Sequence, residues 1–396
     1  EHENSNSKNI SQAVEGFKNL GGTVVFHAGD ITYANIDLLP NKEEKIKKQK
    51  KKNLSDVLKR QNIKKETLIN IVDKFNNANL LVIGDTIIDE YISCDALGMS
   101  AEAPLVVFRE LGSKNYIGGA AVVASHIKSL GANCKYISII GDDDKGKIAC
   151  NFLDKLNIEN IILIDKTRPT TFKTRYMVNN QKIFRVSRLK DHSIPKSIEQ
   201  KLIKQITNIA SKFNGILISD FVYGMVTPNI IEAISKISKR YKIPVFADLQ
   251  CSSQYGNILK FEDFELLCPN EREARIALGN NDDSIERIAQ QILNKTKSKK
   301  LILKLGLDGF VSYDVKSDQF IEREHFPALT VNPVDVAGAG DSLLSALSVC
   351  LAVGSNFMQA SAIATYMASL SVQTIGNNPI NKDQLKEAIL KWGKIE

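Results

Sequence analysis

The sequence predicts an α/β protein: a mostly parallel sheet flanked by helices, with a small β-sheet lid. Three observations lead there. From residue 79 onward, runs of four or five apolar residues alternate with segments of helical period, the pattern of buried parallel strands joined by crossover helices. Two segments, 87–116 and 170–189, break that rhythm. They alternate polar and apolar residues with few helix formers, so they read as half-exposed strands of an accessory sheet over the mouth of the large one. The chain has 396 residues, 43% hydrophobic and 24% charged, which suits one α/β domain of roughly 300 residues plus an extension.

Taken in order, residues 1–41 read as a helix (Ile10–Leu20), a Gly21-Gly22 turn, a strand (Thr23–His27) and a polar end, too little to bury a core alone. The stretch Lys42–Lys52 holds seven lysines against Glu43 and Glu44 and carries most of the net charge of +7. The basic balance therefore belongs to a solvated linker over residues 42–53 and not to a nucleic-acid-binding face. Leu54, Val57, Leu58, Leu68, Ile71, Val72 and Phe75 recur at helical spacing over residues 54–77. Strands are expected at Leu80–Ile83, Tyr136–Ile140, Ile161–Ile164, Ile216–Ser219, Val245–Ala247, Leu266–Cys268, Leu301–Leu305 and Phe310–Tyr313, with a loop from Glu322 to Pro333. Helices are expected at Ala120–Leu130, Gly146–Leu156, Ile198–Lys212, Pro228–Arg240, Glu271–Leu278, Ser284–Thr296, Leu343–Val353, Met358–Val372 and Lys382–Trp392. The longest apolar stretch, 343–372, is broken by Gly354-Ser355-Asn356 and reads as two buried helices, not a membrane span. Six cysteines without a C-x-x-C pair suit reduced thiols in cytoplasm, and five histidines show no zinc-ligand spacing. The chain begins with Glu and reads as a piece of a longer protein.

The chemistry concentrates in Val334-Asp335-Val336-Ala337-Gly338-Ala339-Gly340-Asp341-Ser342. Small residues at a helix start let a phosphate approach unpaired amides at the positive end of the helix dipole. Asp341 inside such an anion site is electrostatically awkward. It reads either as a general base for a hydroxyl attacking a phosphoryl group or as an N-cap of a buried helix. A second glycine-rich match, Gly141 to Lys147, ends in Ile148, which cannot bind Mg²⁺ as Ser or Thr would, and Asp142, Asp143 and Asp144 would repel phosphates; it is not a P-loop. Leu343 likewise breaks a dinucleotide fingerprint.

Gly84-Asp85-x-x-x-Asp89-x-Tyr91, Gly118-Gly119-Ala120-Ala121, Gly141-Asp142-Asp143, Pro269-Asn270-Glu271-Arg272-Glu273-Ala274 and Asp335-x-x-Gly338-Ala339-Gly340-Asp341 together resemble the ribokinase-like (PfkB) carbohydrate kinases over residues 79–392. Ser100 to Pro104, Thr171 to Arg175 with Arg185, and Ile218 to Phe221 make the sequence most similar to the heptose-phosphate kinases of ADP-heptose synthesis. Residues 9–40 resemble the C-terminal tail of a cytidylyltransferase domain, without that family's catalytic H-x-G-H. The organisation expected is such a tail (1–41), a Lys-rich linker with helices (42–78) and a kinase domain (79–396).

The resemblance implies a kinase using ATP and Mg²⁺ on a sugar or sugar phosphate, with D-glycero-D-manno-heptose 7-phosphate the leading acceptor. It implies Asp341 as general base, with Gly338, Ala339 and Gly340 supplying the amide cradle. Asp89, Gly118 and Gly119 would hold sugar hydroxyls, and Lys173, Arg175 and Arg185 a phosphate already on the sugar. Asn270, Lys304, Gly306, Gly309 and Asp335 would serve the nucleotide, and Asn270 with Glu273 the metal and its waters. The expected partners are a small-molecule substrate and a second copy through the lid, with no nucleic acid and no membrane. The sequence departs from the pattern at Gly98, Val122, Tyr223, Leu249-Gln250 and Ala337, so the sugar end has drifted. A different acceptor, or a catalytically weak kinase-like scaffold, stays open, as does the kinase half of a bifunctional nucleotidyltransferase.

Overall fold

Strand β1 (Asn79–Gly84) shows why the chain adopts a three-layer arrangement. Alternate side chains point to opposite faces: Leu80 and Val82 enter one hydrophobic core, Leu81 and Ile83 the other. A strand buried on both faces needs helices above and below it. The computed structural model describes residues 42–179, 181–251, 256–317 and 320–391. The chain divides into residues 1–48 and 49–396, and of the first part only the start of a helix is described. The helix expected at Ile10–Leu20 and the strand at Thr23–His27 lie outside the described residues.

The elements run α1 (Lys42–Arg60), α2 (Lys65–Asp73), β1, β2 (Thr86–Met99), β3 (Val106–Gly119), α3 (Ala120–Ser129), β4 (Asn133–Ile140), α4 (Asp144–Lys155), β5 (Glu159–Ile164), β6 (Thr171–Val178), β7 (Gln181–Arg188) and α5 (Lys196–Ile209). They continue with β8 (Gly215–Asp220), α6 (Pro228–Tyr241), β9 (Val245–Leu249), β10 (Leu266–Leu267), α7 (Glu271–Leu278), α8 (Ile285–Thr296), β11 (Lys300–Lys304), β12 (Phe310–Val315), β13 (Ile321–Phe326), α9 (Ala339–Ala352), α10 (Phe357–Ser371) and α11 (Lys382–Lys391).

The large sheet has the order β13-β12-β11-β10-β9-β8-β1-β4-β5 and is parallel except for the antiparallel β11–β12–β13 edge. One core lies between the sheet and α1, α2, α3, α9, α10 and α11; the other lies under α5, α6 and α8. The lid is a separate sheet of order β3-β2-β6-β7, covering the two segments expected to be half-exposed strands. Only Asp85 separates β1 from β2, and β3 runs straight into α3. The lid therefore springs from the carboxyl end of β1, the end at which open α/β sheets bind ligands. No helix among the described residues is long and apolar enough to cross a membrane.

Three expectations are corrected. The loop expected from Glu322 to Pro333 begins as strand β13, which pairs antiparallel with β12; its Glu322, Arg323, Glu324 and His325 suit an edge strand with a polar face. The Lys-rich segment 42–53 is helical and not an irregular linker. Lys, Glu and Gln are good helix formers, Glu43 and Glu44 sit in its first turn, and Leu54 and Val57 anchor its far end in the core. Helix α9 begins at Ala339 rather than Leu343, and its N-cap is Gly338, not Asp341.

Candidate active site

Helix α9 begins at Gly338, whose φ of 78° is left-handed and where a Cβ would lie 2.4 Å from Asn377 Oδ1, so only glycine fits. Among the described residues the amides of Gly340 and Asp341 make no bond to a carbonyl, leaving an anion-ready helix terminus. Asp341, in the first turn, is 5% exposed. Its Oδ1 accepts a hydrogen bond of 2.6 Å from Gln250 Nε2, at the carboxyl end of β9. Burial first, then repulsion from Asp248, raises its pKa to about 7; Lys304 and the Gln250 bond restrain the rise, and Asp89 adds to it. A carboxylate poised near neutrality, whose other oxygen accepts no hydrogen bond among the described residues, is suited to take a proton from a hydroxyl.

The neighbouring charges are paired. Lys304 Nζ at the end of β11 lies 2.9 and 2.7 Å from the two oxygens of buried Asp248. Burial opposes its charge, but Asp248 and then Glu273 outweigh burial and raise its pKa. Asn270 caps α7: its Oδ1 accepts from Glu273 N and its own N donates to Glu273 Oε2, both at 2.8 Å. Glu273 Oε1 accepts from Cys251 N at 3.1 Å. Glu273 is buried, not solvated in the first helical turn, and burial raises its pKa.

Asn270, Glu273, Lys304, Gly306 and Gly309 line one cleft of about 590 Å³ together with Gly338, Ala339, Gly340 and Asp341. Phe310, Pro327, Leu329 and Val372 give the same cleft an apolar wall. Asp335 does not line it. Its carboxylate instead accepts from Lys182 Nζ (2.6 Å) on β7, Tyr91 Oη (3.0 Å) on β2 and Ala337 N (2.9 Å). Burial disfavours its charge, yet Lys182 and the amides of Ala337 and Gly376 hold its pKa below the usual carboxylate range. Asp335 thus fastens the loop ahead of α9 to the lid.

The residues expected to meet an acceptor lie on the lid. Asp89 is ion-paired with Arg175, and a Cβ on Gly118 would lie 2.6 Å from Asp89 Oδ2, so glycine there leaves room for the carboxylate. Gly119 caps α3 at the lid's return to the main domain. Lys173 is buried, with its ammonium 5.5 and 5.1 Å from the ring centroids of Phe221 and Tyr223 and no carboxylate in ion-pair range among the described residues. Arg175 and Arg185 are register partners across β6 and β7. Arg185 is exposed and makes no ion pair among the described residues. Like charges opposite one another are unfavourable; Asp89 offsets the charge of Arg175, while that of Arg185 faces solvent.

Sequence reading missed Gln250, Asp248, Tyr91 and Lys182 as site residues. Asp248 and Gln250 carried a signal, their places at and just past the carboxyl end of a buried strand. Lys182 carried none.

A model of the pfkB family carbohydrate kinases matches residues 77–384, and the chain belongs to that family. Among curated relatives it is 32% identical over 310 residues to a "Bifunctional protein HldE" of Campylobacter jejuni subsp. doylei, covering 78% of this chain and 64% of that protein. It is 28% identical over 329 residues to the Bifunctional protein HldE of Pelobacter propionicus, covering 82% and 66%. The chain thus spans less than two thirds of the length of these relatives. Among solved structures, a ribokinase from Thermotoga maritima superposes with a TM-score of 0.61 at 24% identity, covering 79% of this chain and 99% of that one. Phosphofructokinase-2 from Escherichia coli superposes with a TM-score of 0.64 at 16% identity, covering 80% and 99%. The fold is ribokinase-like, and the chain is a carbohydrate kinase by family.

Proposed function

We propose that this chain transfers the γ-phosphoryl group of ATP, with Mg²⁺, to a hydroxyl of a sugar phosphate in the cytoplasm. D-glycero-D-manno-heptose 7-phosphate is the leading acceptor. The observation that carries the reading is the position of Asp341. Its carboxylate lines the cleft beside unpaired helix amides and lies within the electrostatic reach of Asp89 on the lid. A hydroxyl held by Asp89 between lid and helix would lose its proton to the free oxygen of Asp341 as it attacks. The amides of Ala339, Gly340 and Asp341 would hold the charge that develops on the transferred group. Lys173, Arg175 and Arg185 supply the cations for a phosphate already on the acceptor. Six free cysteines agree with a reducing compartment.

Asn270 and Glu273 fit a water-mediated Mg²⁺ site. Both offer oxygen donors at the cleft wall, and each Glu273 oxygen accepts one amide and keeps a lone pair. No group of three or more His, Cys, Asp or Glu among the described residues forms a closed cage, in keeping with an ion that retains waters and takes other ligands from phosphates. When bound, the ion would neutralise charge between the β- and γ-phosphates.

A homodimer through the lid is part of the reading. Leu97, Met99, Leu111, Ile183, Phe184 and Val186 are exposed on lid strands, and β3 and β7 leave open sheet edges there. A second reading, a catalytically weak kinase-like scaffold, is favoured by Val122, Tyr223 and Gln250 at acceptor-side positions.

The test is ADP release from ATP and Mg²⁺ against a panel of sugars and sugar phosphates. A phosphorylated acceptor is expected to stimulate release, and Arg185→Ala to raise its KM about tenfold, the scale of one charge-assisted contact of about 1.4 kcal/mol. ATP binding with no acceptor effective would transfer support to the scaffold.

A further inference from the structure

The family match starts at residue 77, yet helix α1 upstream of it reaches the cleft. Lys50 Nζ donates to Thr330 O at 3.1 Å and approaches Leu307 O at 3.5 Å. Leu307 and Thr330 both line the cleft that holds Asn270, Lys304 and Gly340. Leu307 sits in the single turn Gly306–Asp308, and Thr330 in an irregular segment between β13 and α9. The β12–β13 ladder holds the two rim segments together only at their base, where Phe310 pairs with Phe326 and His325 Nε2 lies 2.7 Å from Asp308 O. Farther out, the ammonium of Lys50 bridges Leu307 and Thr330.

The helix that carries Lys50 is fixed independently. Leu54 and Val57 are buried in the core, Arg60 Nη2 lies 2.8 Å from Glu324 Oε1 on β13, and Gln61 Nε2 donates to Glu324 Oε2 at 3.1 Å. Lys50 is half-buried, which lowers its pKa, while Asp308 beside it acts in the opposite sense. Surface lysines at Lys52 and Lys59 on the same helix are exposed and have no such partners among the described residues. A side chain that gives up solvent to bind two carbonyls on one cleft rim has a positional task.

We propose that Lys50 is a positioning residue of the nucleotide cleft. It ties the 306–309 turn to the 327–330 segment, so that the wall against which a nucleoside triphosphate or diphosphate packs is formed before the ligand arrives. The inference rests on the nucleotide reading of the cleft given above. It predicts an effect on nucleotide affinity and KM, with kcat at saturation and the acceptor KM unchanged, because Lys50 stands outside the Asp341 cluster.

The experiment is calorimetric titration of ADP and of ATP into the protein without acceptor, for the wild type, Lys50→Met, Lys50→Arg and Lys52→Met. Lys50→Met is expected to weaken binding about five- to thirtyfold, the fold-change for about 1–2 kcal/mol. Lys50→Arg, which keeps donors and charge, should restore most of the affinity. Lys52→Met, the same charge loss one turn-fraction away, should bind as the wild type does. Equal binding by Lys50→Met overturns the inference while leaving the kinase reading intact. Absence of nucleotide binding by the wild type overturns both. Amide hydrogen exchange gives a ligand-free readout. Lys50→Met should speed exchange at 306–309 and 328–330, and unchanged exchange there contradicts the tie.

Discussion

Replacing Gln250 by Met removes one hydrogen-bond donor from Asp341 and keeps an unbranched side chain of similar length. The native contact is 2.6 Å, from an amide to a buried carboxylate. A hydrogen bond to a charged group contributes about 1.5–3 kcal/mol, equivalent to roughly one to two pKa units. Burial and Asp248 already raise Asp341 to about 7, with Lys304 the remaining restraint. Loss of Gln250 therefore moves the pKa further upward. Because the base acts when ionised, the acidic limb of kcat/KM should move to higher pH by the same one to two units, roughly. At pH 7 the rate should fall about five- to fiftyfold, and it should recover at about pH 10. Initial rates of ADP formation across that range measure it. An acidic limb that stays in place, or moves down, refutes the assignment of Asp341 and Gln250 as base and positioning residue.

Other outcomes follow from the same geometry. A carboxyl whose folded pKa lies above its ordinary 3.8 is protonated preferentially in the native state, so its contribution to stability is lost as pH rises from about 4 to about 7. Asp341→Asn should accordingly raise the melting temperature at pH 8, by at most about 4 kcal/mol of stability, and change little at pH 4; a destabilised variant at pH 8 would contradict the raised pKa. Lys182→Met leaves Asp335 without its ion pair across to the lid, and should raise the acceptor KM several-fold with ATP affinity unchanged, read by steady-state kinetics and calorimetry. Phe184→Glu places a charge on the apolar lid surface beside Tyr176, and sedimentation should report a monomer in place of the dimer proposed for the wild type; an unaltered sedimentation coefficient argues against the lid interface.

The main sheet was legible because its strands are short apolar runs between helical segments, and the lid because 87–116 and 170–189 alternate. Strand β13 was hidden by Glu322 to His325, which resemble a loop until β12 is seen beside them. Helix α1 was hidden by its lysines, which signal solvation as strongly as they signal helix. The Gly338–Asp341 helix start was legible since small residues ahead of a long apolar run mark one, although the helix begins four residues earlier than expected. Gln250 was marked only by its place after a strand end, its partner lying 91 residues away, and Lys182 by nothing local, its partner lying 153 residues away. Asp335 was recognised as belonging to the motif but given the wrong neighbour: the cleft was expected, and the lid was found.

Under the proposed function, Asp341 deprotonates an acceptor hydroxyl in a cleft that binds ATP. The most direct measurement pairs ATP affinity with turnover in Asp341→Asn, using the acceptor that best stimulates the wild type. Retained ATP binding with kcat reduced by at least about two orders of magnitude, the scale of a lost general base, is the predicted result. Near wild-type turnover in the Asn variant would contradict it.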